Sequence, residues 1–200
     1  MNTNIRTSLL ALTAVAFLAG CAHPITIAPD MSKLVRDEAA KPRVETQVGY
    51  FISEQNRALR VKTPAGGGDF VEYAPYADLE TGLYRVLSNV FTNVHVVKNV
   101  QDKEFLTSKN ISYLFTPTLT TTSSSRNSFF WPPTDFTVTI DCVAADDQTQ
   151  QVWKTSVQEG NDVVAVKDTL ADHGLAGKKA AEKALKKLQA ELEAAPVFRK

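Results

Sequence analysis

The sequence has no excess of either charge: Lys and Arg together number 22, and so do Asp and Glu. That balance gives the chain no net pull toward nucleic acid or an anionic surface. It lacks the short motifs of common catalytic sites. There is no Gly-x-Ser-x-Gly elbow, no His-Glu-x-x-His and no Cys-x-x-Cys, the patterns that mark esterase, metalloprotease and redox chemistry. The three histidines, His23, His95 and His173, lie far apart in sequence. No metal cluster is suggested, because a zinc site wants several ligands close together. The glycine run Gly66-Gly67-Gly68 has neither the spaced glycines of a dinucleotide loop nor a Gly-Lys-Ser/Thr ending, so it reads as a flexible turn. Long apolar runs are also missing. The longest, near the start, covers about ten residues, against roughly 20 needed to span a bilayer.

What is present begins with that short run. Arg6 supplies a cationic start, Leu9 to Leu18 are apolar apart from Thr13, and the small residues Ala19 and Gly20 precede Cys21. This is the pattern of a secretory signal peptide. Its ending, Leu18-Ala19-Gly20-Cys21, resembles the lipobox of bacterial lipoproteins. The resemblance implies cleavage before Cys21, acylation of its thiol and amine (palmitate among the chains), and anchoring in a membrane leaflet. By resemblance to enterobacterial sorting rules, Ala22 in place of Asp favours the outer membrane, with the domain on its periplasmic face. Removing residues 1–20 takes away Arg6 and no acid, which leaves 21 bases against 22 acids. Cys142 then has no partner for a disulfide within the chain. It shares a strand face with Phe136, Val138 and Ile140, which suits a buried thiol acting as a small apolar side chain.

Three regions follow: a signal peptide over 1–20, a lipidated tether over 21–45, and one domain over 46–200. Pro24, Pro29 and Pro42 favour extended, unpaired chain in the tether. A short edge strand at Ile25–Ile27 and a weak helical turn from Met31 to Ala40 are compatible with it, and His23 is expected in solvent. Alternation of Val48, Tyr50 and Ile52 predicts a strand over 46–52. Pro75 opens a helix whose apolar face is Leu79, Leu83, Val86, Leu87 and Val90. A strand over 93–97 places His95 as an ordinary strand residue. A short helix over 102–108 precedes three antiparallel strands within 111–159, with threonines on the wet face. Residues 168–195 predict one long helix, with Leu175, Ala181, Leu185, Leu188 and Leu192 as its apolar stripe.

The expected fold is α+β: a two-layer sandwich in which a mixed, mostly antiparallel sheet (order β-α-β-β-β-β-α) is covered on one face by two helices. This order resembles small envelope lipoproteins of the YajG type and, more distantly, the curli-secretion lipoprotein and TolB N-terminal domain class. The residues that carry the likeness are Leu18-Ala-Gly-Cys-Ala-His-Pro24, the turn from Asp147 to Val152-Trp153, and the C-terminal alanine/leucine/lysine helix.

One stretch stands out as a candidate contact surface: Ser123 to Thr134, at the tip of a hairpin. Phe129, Phe130 and Trp131 are unexpected in a solvated tip and often mark contacts with partners, with Arg126 as a charged companion. The alternative is that the rings fold back over the sheet edge. The expected function is that of a non-catalytic, lipid-anchored binding or adaptor protein docking on an envelope complex. A peptidoglycan- or glycolipid-binding module and an enzyme are the alternatives. No cofactor is expected beyond the lipid on Cys21, and no nucleic acid partner.

Overall fold

Strand formation begins with alternation at Val44–Phe51 (β2), where Val48 and Tyr50 turn inward and become buried. The computed structural model describes residues 22–36, 41–126 and 129–199. Cys21 and the signal peptide therefore lie outside the described residues. β2 pairs in parallel on one side with Phe91–Val97 (β5) and on the other with Tyr113–Ser124 (β6). Asp135–Ala145 (β7) and Gln151–Gly160 (β8) extend the sheet through long antiparallel ladders, which gives the order β5-β2-β6-β7-β8.

The two long helices cover one face. Pro75–Val90 (α2) follows Glu54–Ala58 (α1), and its stripe of Leu79, Leu83, Val86, Leu87 and Val90 is buried as the spacing predicts. Lys103–Ser108 (α3) is the short helix expected before β6. Leu175–Ala194 (α5) buries Ala180, Ala181, Ala184, Leu185, Leu188 and Leu192 against β7, β8 and α2. The fold is α+β, with two long helices on a mixed sheet. Inward positions of β7 (Phe136, Val138, Ile140, Cys142, Ala144) are buried in alternation. The opposite face shows exposed Thr116, Thr118, Thr120 and Thr122 to solvent, since threonine suits a pleated surface with one wet side.

Three expectations need correction. The segment 22–36 is not a tether. Ala22–Pro24 (β1) pairs in parallel with Phe70–Tyr73 (β4), and Ile27 and Leu34 lie in the core. Asp78, in the first turn of α2, holds this segment: it accepts the Ile27 amide at 2.9 Å and the Thr26 hydroxyl at 3.0 Å. Buried Asn89 donates to the Leu34 carbonyl at 2.9 Å. Prolines here shape the path without stopping it from packing. Second, the glycine run closes an ordered hairpin between Val61–Pro64 (β3) and β4, with positive φ at Gly67 and Gly68, a conformation glycine adopts freely. With β1 it forms a second sheet, β1-β4-β3. Third, the C-terminal helix is two pieces. Val166–Ala171 (α4) ends before Asp172, and α5 starts after Gly174.

The two sheets share one core. The Tyr73 hydroxyl donates to Thr121 Oγ1 at 2.7 Å, and its ring meets Phe136 with centroids 5.3 Å apart. Thr63 and Ser123 share a buried hydrogen bond of 2.6 Å. The small sheet thus covers the far end of the β6–β7 hairpin on the helix side.

Candidate functional site

The β6–β7 connection is built by hydrogen bonds across its neck. The Thr134 amide donates to the Ser124 carbonyl at 3.1 Å, and the Arg126 amide donates to Thr134 Oγ1 at 3.1 Å. The Arg126 guanidinium grips Asp135, with Nε 3.0 Å from each carboxylate oxygen. Thr134 Oγ1 also donates to Asp135 Oδ2 at 2.9 Å. These charge-assisted bonds, Arg126 foremost, hold the Asp135 carboxyl below the usual range.

The three rings have different fates. Phe129 is fully exposed (100%). Phe130 is half-buried. Trp131 is packed: its indole stacks on His23 with centroids 3.9 Å apart at 17°, and the His173 ring meets it edge-on at 4.5 Å. The Gly66 amide donates to the Trp131 carbonyl at 2.8 Å. His23 is therefore not in free solvent. It is clamped between Trp131 and Asp69, whose Oδ2 is 3.0 Å from Nε2. The rings divide: Phe129 faces outward, and Trp131 folds back and ties the loop to β1.

A shallow cleft of about 470 Å³ opens beside the loop, lined by Arg126, Phe129, Asp135, Val163, Val164 and Val166. The segment 161–166 is fixed there by Asn161, which accepts from the Phe136 amide at 2.6 Å and donates to the Thr134 carbonyl at 2.8 Å. Val163 is 85% exposed and Leu170, on α4, 56%. Sequence reasoning missed this segment because its three valines follow no strand or helix period. Asn161, a side chain able to bridge two neighbouring backbones, was the available signal.

A second group joins β2, α1 and α2. Glu80 accepts from Tyr50 at 3.0 Å and from both Arg57 Nε and Nη2, at 2.9 and 2.8 Å. Arg57 holds the Glu80 carboxyl below its ordinary range, while burial, and then Glu80 itself, push the Tyr50 hydroxyl up. Both Glu80 oxygens are engaged within this triad, Oε1 by Tyr50 and Arg57 Nη2 and Oε2 by Arg57 Nε, which is the signature of a structural bridge. The Cys142 thiol is fully enclosed, and burial pushes it up to about 12, far from the range of a nucleophile. Among the described residues, no group of three or more His, Cys, Asp or Glu could hold a metal ion. None of the described helices is long and apolar enough to cross a membrane.

The fold and the site define an α+β protein with its aromatic hairpin tip beside its N-terminal strand. No family model matches the chain, and no curated protein matches it. Among solved structures it is similar to the PelC dodecamer of Paraburkholderia phytofirmans, at 12% identity and a TM-score of 0.44, over 78% of this chain and 95% of that one. It is also similar to the "putative lipoprotein" of Caulobacter crescentus CB15, at 12% identity and a TM-score of 0.34, over 60% of this chain and 80% of the other. These likenesses assign no activity to this chain.

Proposed function

We propose that the chain is a lipid-anchored, non-catalytic binding or adaptor protein of the bacterial envelope, held through Cys21 on the periplasmic face of the outer membrane. The observation that carries this reading is the junction at residue 21. The lipobox-like Leu18-Ala19-Gly20-Cys21 runs directly into β1, whose first residue, Ala22, already pairs with Phe70. An acyl chain on Cys21 would therefore be joined to the folded domain itself. The end of the molecule that holds Arg126 and Phe129 would then work close to the membrane. A sugar-stacking role would have to rely on Phe129, since one face of Trp131 is occupied by His23 and its surroundings by His173.

The test is metabolic labelling with radioactive palmitate, followed by membrane fractionation. The native chain is expected to take up label and to sediment with outer membranes. Cys21→Ser is expected to lose both. Label retained by Cys21→Ser, or a native chain without label, would overturn the reading.

A further inference from the structure

We infer that the end of the molecule carrying the 123–134 loop lies against the phospholipid leaflet, with Phe129, Val163, Val166 and Leu170 entering the headgroup–acyl boundary. This rests on the lipid-anchored reading above and names what the loop end touches.

No spacer separates Cys21 from β1. Cys21 is one peptide bond from Ala22, and Ala22 is held in the β1–β4 ladder. A residue spans at most about 3.6 Å. A lipid on Cys21 thus brings the leaflet to within a residue or two of whatever surrounds Ala22. That surrounding is the loop end. His23 stacks on Trp131, and the Gly66 amide bonds to the Trp131 carbonyl. Two residues away, Phe129 is 100% exposed. Phe129, Val163 and Val166 line one cleft, and Leu170 projects from α4 at 56% exposure. Single exposed apolar residues are ordinary, but several gathered from separate segments at one end form a patch.

The charges at this end are compatible with anionic headgroups. Asp135 is paired with Arg126, Asp162 with Lys183, and Asp172 with Lys178. Asp69 faces His23, and exposed Asp168 on α4 follows Lys167, so acids and bases at this end are close to balance and headgroup phosphates would not meet a large excess of carboxylates. The β6–β7 hairpin then points tip-first at the leaflet, and the open threonine face of the sheet stays in water. A lipid anchor alone leaves orientation free. The apolar end would fix it.

The experiment uses the full lipidated protein purified from membranes and reconstituted into phosphatidylethanolamine/phosphatidylglycerol vesicles with brominated acyl chains. An environment-sensitive fluorophore is attached at Phe129→Cys, at Val163→Cys, or at the control Thr118→Cys on the open sheet face. Cys142 is enclosed and stays unlabelled. Groups seated roughly 5–10 Å into the boundary are within reach of the bromines. Quenching at positions 129 and 163 is expected to exceed that at position 118 by about threefold or more. Mass spectrometry of the same preparation reports the lipid on Cys21. Lipid present with equal quenching at all three positions overturns the inference and leaves the anchor standing. Lipid absent overturns the anchor and the inference together.

Discussion

A methyl group on Gly174 would sit 2.0 Å from the carbonyl oxygen of Thr26. Backbone cannot yield as a flexible side chain does, so the turn between α4 and α5 and the N-terminal segment fit only because position 174 has no Cβ. Gly174→Ala is expected to cost about 3 kcal/mol, the upper end of overpacking penalties, read as a lower urea midpoint at unchanged slope. At Gly177 a Cβ would instead meet a side chain, the buried β-branched Ile27. Glu80 makes a different kind of prediction. Its folded-state carboxyl titrates below its ordinary value of 4.5, chiefly through Arg57. A depressed acid contributes stability that is present above the ordinary value and is lost as pH falls through the folded one. Native stability should therefore decline as pH falls below 4.5, and Glu80→Gln should show a shallower decline in that window. Urea midpoints at pH 7, 4.5 and 3 would check it, and parallel curves for the two proteins would refute it.

Among elements, β2, α2, β5 and the β6–β7–β8 meander were legible because each carries a regular period through a long enough run. The α2 stripe, for example, is buried at every position its spacing picks out. Segment 22–36 was illegible for the opposite reason. Its buried residues, Ile27, Pro29 and Leu34, follow no strand or helix period, and its contacts are with Asp78 and Asn89, more than 50 positions away. The turn at the glycine run was legible but the hairpin it closes was not, because the short strands β3 and β4 have four residues each, too few for a period to stand out. The break at Asp172–Gly174 did carry a signal, Gly174 itself, but a single glycine between two apolar-periodic stretches is also tolerated inside a helix. The corrected boundary has a measurable consequence. A chain beginning at Thr46 loses Ile27 and Leu34 from the core, at about 1.5–3 kcal/mol each for burial alone. Asp78 and buried Asn89 also lose their partners in that segment, at about 1–3 kcal/mol for each polar group left unpaired; with the loss of β1, the sum is comparable to a typical total of about 5–15 kcal/mol. A chain beginning at Ala22 should show native near-ultraviolet circular dichroism, and one beginning at Thr46 should not.

At the scale of the whole molecule, the hairpin loop was visible in the sequence as misplaced aromatics, but its surroundings were not. His23 reaches it from β1, and Asn161 and His173 from the stretch between β8 and α5. That convergence makes the loop end part of the core's far wall, which bears on cooperativity. The two tryptophans report on opposite ends: Trp131 on the β1/loop end, and Trp153 on the cluster with Phe115 and Phe198. If the β1-β4-β3 sheet were an independent layer, the Trp131 end would open first. The buried Thr63–Ser123 bond and the Tyr73 contacts with Thr121 and Phe136 tie that sheet to the long hairpin. Breaking one end therefore exposes core that belongs to both. Trp153→Phe leaves Trp131 as the fluorescent probe, and Trp131→Phe leaves Trp153. In each variant, the fluorescence midpoint in urea is expected to coincide with that of far-ultraviolet circular dichroism, as one cooperative unit requires. A Trp131 midpoint that precedes the dichroism midpoint would show that the small sheet and the loop end melt as a separate unit, and that the shared core does not couple them.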